Sequence, residues 1–209
     1  MRQGPLRLLP VSLKNKLRGT TLIEMLLVAA ILSVIMAVLF YAMNAGNLSF
    51  NLSSARAELQ GEVRRAMDWI VKDVHQTVNW EIAKVANNPN SSHIKFKQVT
   101  GWDTVNNTFL LSDYYVEYTY DAAQKIITRS GPDPADPAQI KTWTFNYIDI
   151  PVNQYLFNTL DSGGQIVPLN ATDLGTSKQI VIRIFGQNQV IGGQNTTYNL
   201  FELVKIRNG

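Results

Sequence analysis

Glu24 is an acid placed where an acid is costly. It stands directly before residues 25–43, a stretch of 19 residues, Met25 at one end and Met43 at the other, with no charge and with Ser33 as its one hydroxyl before Tyr41. An ionised carboxylate in hydrocarbon costs on the order of several kcal/mol, so an acid here is a candidate functional residue in its own right. The plainer alternative is a side chain that snorkels to the interface from the start of a helix. Other reactive chemistry is thin. The chain has no cysteine, which excludes disulfides, CxxC redox chemistry, iron–sulfur ligation and a cysteine nucleophile. It has two histidines, His75 and His93. His75 lies close in sequence to Asp73 and reads as part of a solvated helix face. No glycine-rich phosphate loop follows a strand and opens a helix, and no nucleophile–base pairing is readable. Trp102, Trp143 and the tyrosines could form a sugar- or partner-binding patch, but strand aromatics ordinarily pack a sheet.

The element that carries Glu24 is a helix. At 1.5 Å per residue, the run beginning at Met25 makes about 28 Å, close to the hydrocarbon thickness of a bilayer. Before it, Arg2, Arg7, Lys14, Lys16 and Arg18 supply five positive charges and no acid. By the positive-inside rule this sets the N-terminus in the cytoplasm and the rest of the chain across the membrane. The same five residues explain the basic pI near 9.1: without them, 14 of the 19 Lys and Arg face 16 Asp and Glu. A nucleic-acid-binding face is therefore not indicated. A secretory signal peptide has a similar basic head but a shorter apolar core, and a plain signal anchor gives no reason for a carboxylate at position 24.

The helical pattern continues beyond the apolar run. Leu48, Leu52, Ala55, Leu59, Val63, Ala66, Ile70, Val74, Val78, Ile82 and Val85 recur at steps of three or four, with Arg56, Glu58, Glu62, Arg64, Arg65, Asp68, Lys72 and Asp73 on the remaining faces. This predicts a helix from about Thr21 to Ala86, weakened at Gly46 and Gly61. The cluster at residues 87–92 (Asn-Asn-Pro-Asn-Ser-Ser) ends it. After that the period falls to two. Ile94 and Phe96 alternate with Lys95 and Lys97; Val116, Tyr118 and Tyr120 alternate with Glu117 and Thr119. Residues 121–124 predict a turn into a strand ending at Arg129, and further strands are predicted at 142–148, 179–185 and 198–206. Five or six strands after one long helix predict an α+β fold in which an antiparallel sheet wraps the helix.

The segment Gly19-Thr20-Thr21-Leu22-Ile23-Glu24, with basic residues before it and an apolar helix after it, resembles the prepilin peptidase motif of type IV pilins and type II secretion pseudopilins. Thr20 departs from the usual phenylalanine. The resemblance implies cleavage between Gly19 and Thr20 and methylation of the new Thr20 amine. It also implies an assembly role for Glu24, which in a helix shares a face with that amine four residues earlier. The tyrosine-rich strand, the turn, the strand ending in Arg129 and the final strand resemble J-type pseudopilins and W-type minor pilins. The organisation then expected is a leader at 1–19, a transmembrane or filament-core helix at 20–46, its amphipathic continuation at 47–88 and a β-rich domain at 89–209.

The same resemblance implies a structural subunit, not an enzyme, of a type IV pilus, type II secretion or DNA-uptake filament. Its partners would be a prepilin peptidase, sibling pilins or pseudopilins, an inner-membrane assembly platform and lipid. Its place would be the cytoplasmic membrane, single-pass, with the C-terminal domain outside. The rival is a membrane-anchored extracytoplasmic enzyme or binding protein with a prepilin-like leader. No cofactor is expected. Asp133 and Asp136 are weak candidates for calcium, which some pseudopilins bind, but the prolines at 132, 134 and 137 predict a stiff loop instead.

Overall fold

The structure, a computed structural model, describes residues 21–78, 81, 82, 92–170, 174, 178–189 and 195–206. It divides into an N-terminal unit, Met1–Asn47, and a C-terminal unit, Leu48–Gly209. Helix α1, Leu22–His75, has 54 residues and runs through that division. Gly46 and Gly61 both lie within it. Within the N-terminal unit every described residue is exposed, and α1 is long and apolar enough to cross a membrane.

In the C-terminal unit the predicted stripe becomes the helix's inner face. Leu59, Val63, Ala66, Ile70 and Val74 are buried, joined by Met67, while Leu48 remains exposed. The helix stops at His75, earlier than the periodicity predicts. Its end tightens through Gln76 N–H to Asp73 O (3.0 Å) and Thr77 N–H to Val74 O (3.3 Å). The next groups bond to a strand: the Thr77 hydroxyl donates to Lys97 O at 2.8 Å, and Val99 N–H donates to Gln76 O at 2.6 Å. Strand pairing thus takes over the carbonyl that helix continuation would use. Val78 and Ile82 are nevertheless buried, as the stripe requires. Val85 and most of the 87–92 cluster lie outside the described residues.

Among the described residues eight strands follow, in two antiparallel sheets of four, where the sequence predicts one sheet of five or six. The first is a meander of β1 (His93–Asp103), β2 (Thr108–Asp121), β3 (Ile126–Asp133) and β4 (Asp136–Phe145). The second contains β5 (Phe157–Leu160), β6 (Ile166–Pro168), β7 (Gln179–Gln189) and β8 (Asn195–Lys205) in the order β6-β5-β7-β8. Strands β5 and β6 escape the sequence pattern because they are short, and because Phe157, Asn158 and Thr159 are all buried in place of alternating. The turn at 121–124 forms as predicted: Asp121 Oδ1 accepts the N–H groups of Ala123 (2.8 Å) and Gln124 (3.0 Å).

One core joins α1 to both sheets. Leu59, Val63 and Ile70 meet Phe96, Val116, Ile127 and Phe145 of the first sheet and Phe157, Ile182, Ile184 and Val204 of the second. A close approach occurs at Gly186 of β7. A Cβ there would lie 2.6 Å from Val63 Cγ2 and 2.7 Å from Leu59 Cδ1, so only glycine lets the strand seat on the helix. Gly186→Ala is expected to lower unfolding stability by about 1–3 kcal/mol, the usual cost of overpacking, and Gly186→Val by more. Denaturant unfolding of the two variants checks this, and an unchanged midpoint for both would contradict the packing.

Candidate functional site

Glu24 sits in the third position of α1, and Thr21 caps the helix. Glu24 Oε2 accepts the Thr21 N–H at 2.8 Å and the Thr21 hydroxyl at 3.1 Å, while Glu24 N–H donates to Thr21 Oγ1 at 3.4 Å. This is a reciprocal capping box, in which two backbone donors that helix geometry leaves unpaired each gain an acceptor. The signal was present in Thr21-Leu22-Ile23-Glu24, a [ST]-x-x-E pattern before an apolar run, but charge pairing alone does not reveal it. The carboxylate also lies at the positive end of the helix dipole, where an acid gains about 0.3–1 kcal/mol. Glu24 thus has a partner within its own chain. Gly19 and Thr20 lie outside the described residues, so the pairing of Glu24 with a Thr20 amine is not seen. Within the run, Ser33 satisfies itself by donating to Ala30 O at 2.7 Å.

The C-terminal unit holds a second polar centre. Asp73, placed by periodicity on the solvated face of α1, is buried. Its Oδ2 accepts the Tyr118 hydroxyl at 2.6 Å and Arg129 Nε–H at 2.7 Å, and its Oδ1 accepts Gln98 Nε2–H at 2.9 Å. Each of these donors stands on a different strand: Gln98 on β1, Tyr118 on β2 and Arg129 on β3. The Arg129 guanidinium lies 4.6 Å from the ring centres of both Trp69 on α1 and Trp143 on β4, and those rings are 5.3 Å apart. Burial first, and then Asp73, push the Tyr118 phenol well above its ordinary value. The sequence missed this centre because a lone Asp in a helix pattern gives no sign that an Arg, a Tyr and a Gln will converge on it.

The remaining candidates fall elsewhere. Asp133 and Asp136 flank the β3–β4 turn, so the predicted loop is a hairpin. Asp133 accepts Ala135 N–H at 3.0 Å and Lys141 Nζ–H at 2.9 Å, and Asp136 accepts Gln139 Nε2–H at 2.8 Å and Ala138 N–H at 3.3 Å. The Ala135 N–H and the Lys141 ammonium hold the Asp133 carboxyl below its usual range. Lys141 beside it opposes a cation. No cluster of three metal-ligating side chains occurs among the described residues. Trp102, expected in the core, is exposed and meets Phe109 edge-on at 5.0 Å. Trp143 is half-buried, Tyr114 and Tyr115 are exposed, and His75 is exposed as expected. His93 pairs with Glu117 at 2.8 Å.

Residues 14–40 match the prokaryotic N-terminal methylation motif. No curated protein and no solved structure matches the chain.

Breaking the buried pair with Asp73→Asn or Arg129→Met is expected to cost about 3–5 kcal/mol each. The double variant Asp73→Asn/Arg129→Met should lose less than the sum of the two, since no uncompensated charge remains. Denaturant unfolding provides both numbers, and strict additivity would show the residues to be independent. Because folding raises the Tyr118 value, its contribution is fully present below the unfolded value of about 10 and is lost as pH climbs through the folded one. Tyr118→Phe should therefore flatten part of the stability loss above about pH 10.

Proposed function

We propose that this protein is a minor pilin or pseudopilin, a structural subunit and not an enzyme, in a filament of a type IV pilus, type II secretion or DNA-uptake system. The observation that carries the reading is the N-terminal methylation motif over residues 14–40, in register with the exposed apolar first half of α1, whose first turn is closed by Glu24. A prepilin peptidase cleaves between Gly19 and Thr20, and the Thr20 amine is methylated. The basic head keeps the N-terminus on the cytoplasmic side of the inner membrane, and the C-terminal unit lies outside. On assembly, α1 leaves lipid for a sheath of sibling helices, with the inner-membrane assembly platform as the site of transfer.

Cleavage changes what surrounds Glu24. The new cationic amine on Thr20 lies four residues from the carboxylate, on the same helical face. Glu24 can keep its cap on Thr21 and neutralise the amine of a neighbouring subunit, so that burial of both charges depends on correct register. Leader removal explains the placement of Gly19, which lets the backbone lie close in a protease cleft.

At the chain's mean residue mass, 23.4 kDa over 209 residues, the leader weighs about 2 kDa. Co-expression with a prepilin peptidase should remove that mass and leave a methylated N-terminus at Thr20, and Gly19→Val should prevent it. A mature N-terminus near Ala45 would point to signal peptidase and sink the reading. Glu24→Gln keeps the reciprocal cap, because glutamine serves in that position, but removes the charge. It should insert and be cleaved normally, yet lose about 1–3 kcal/mol per subunit of assembly. Glu24→Ala should lose the cap as well. Co-purification with sibling subunits measures both, and normal assembly of Glu24→Gln would leave only the capping role.

A further inference from the structure

The first sheet is forked. Strands β2 and β3 pair from Asp121↔Ile126 to Glu117↔Ser130 and no further. Beyond that point β2 continues with β1 as far as Thr108, and β3 continues with β4 as far as Asp133. The split begins where Pro132 would enter the β2 ladder without an N–H to donate. At the crotch, Gly131 packs on Val116, where a Cβ would stand 3.2 Å from Val116 Cγ2 and 3.4 Å from its Cα. Past it, Tyr115 has no ladder partner across the fork, and Pro132 opposite it has no N–H, which leaves the edge of β2 open inside the sheet. Between the two hairpins lies a cleft of about 730 Å³, floored by Trp69, Asp73 and Arg129 and walled in part by Tyr114 and Pro132.

The floor is short of an acceptor. Arg129 is 2% exposed, its Nε–H is taken by Asp73, and its Nη1 is buried with no hydrogen-bond partner. A buried guanidinium donor without an acceptor is costly, and a carboxylate is the acceptor whose planar geometry suits it. The charge of Arg129 is already neutralised by Asp73, so the positive charge that an incoming acid meets at the cleft is that of Lys72, which is exposed there. Of the acids there, Asp73 is occupied by Arg129 and Asp133 by Lys141, while Asp113 lies on the β2 wall. An incoming acid is therefore directed toward Lys72 and Arg129 and away from Asp113.

We propose that the fork cleft binds an extended peptide segment carrying a carboxylate. The backbone of the segment adds to the open edge of β2, and its acidic side chain reaches Arg129 beside Lys72. The aromatic and proline walls fit such a segment, since extended backbone presents alternate side chains to each wall. The carboxylate chemistry alone would also suit a free anion. The open edge of β2 is what favours a peptide. Nothing in this depends on leader cleavage or filament assembly, so the two readings fail separately.

The test uses the full chain in detergent micelles on an array of random decapeptides, with inorganic phosphate and free glutamate as competitors. Bound sequences should be enriched in Asp or Glu at one fixed position. The best of them should quench tryptophan fluorescence through Trp69, and exchanging its acid for the amide should weaken binding by about tenfold or more. Arg129→Lys and Lys72→Glu should each abolish the acidic enrichment. Lys72 is exposed and outside the core, so Lys72→Glu remains decisive where the Arg129 variant unfolds. Absence of acidic enrichment, or equal binding by Lys72→Glu, would overturn the proposal. Competition by phosphate or glutamate at the affinity of the peptide itself would reduce the cleft to a free-anion pocket and overturn the peptide assignment.

Discussion

A carboxylate cannot be buried among apolar side chains unless its negative charge and both oxygens are occupied, and in the C-terminal unit Asp73 meets that demand by recruiting most of the first sheet. Gln98, Tyr118 and Arg129 come from three successive strands, and Trp143 on the fourth packs against the recruited guanidinium. The position of α1 and the register of β1, β2 and β3 are thus tied to one side chain. A slip of one residue in any of these strands would turn its donor to the opposite face. Apolar packing supplies the bulk of the burial, and the polar centre selects among the ways that packing could be arranged.

The same rule, that polar groups withdrawn from water need partners, operates at the start of α1 in a different solvent. Along the apolar run no side chain can satisfy a stray donor, so the helix must close its own first turn. Thr21 and Glu24 do this reciprocally, and Ser33 folds its hydroxyl back onto Ala30. An acid that composition marks as an anomaly is therefore a structural part of the helix start.

Close approach sets the remaining geometry. Gly186 lets β7 touch Leu59 and Val63, and Gly131 lets β3 touch Val116 just before the sheet divides. At both places an absent side chain brings two elements together. At the second, Pro132 then prevents the pairing from continuing. The cleft is the result, with a buried and partly unpaired guanidinium at its floor.

Features set by neighbours in sequence were legible without the structure. The apolar run, the basic head, the anomalous Glu24, the inner stripe from Leu59 to Val74, the change of period after residue 92 and the turn at Asp121 all follow from composition and spacing over a few residues. The features that eluded such reading depend on partners far away in the chain. Asp73 looks like a surface acid until Tyr118, 45 residues on, and Arg129, 56 residues on, close around it. The helix ends at His75 and not about eleven residues later because Lys97 and Val99 bond the groups of Gln76 and Thr77 just beyond it. The second sheet includes two strands of only four and three residues, and the first three residues of β5 are all buried and so show no alternation. Periodicity reports which face of an element is apolar. Which distant groups meet that face, and whether a polar residue on its margin is buried or solvated, is decided only when the elements pack.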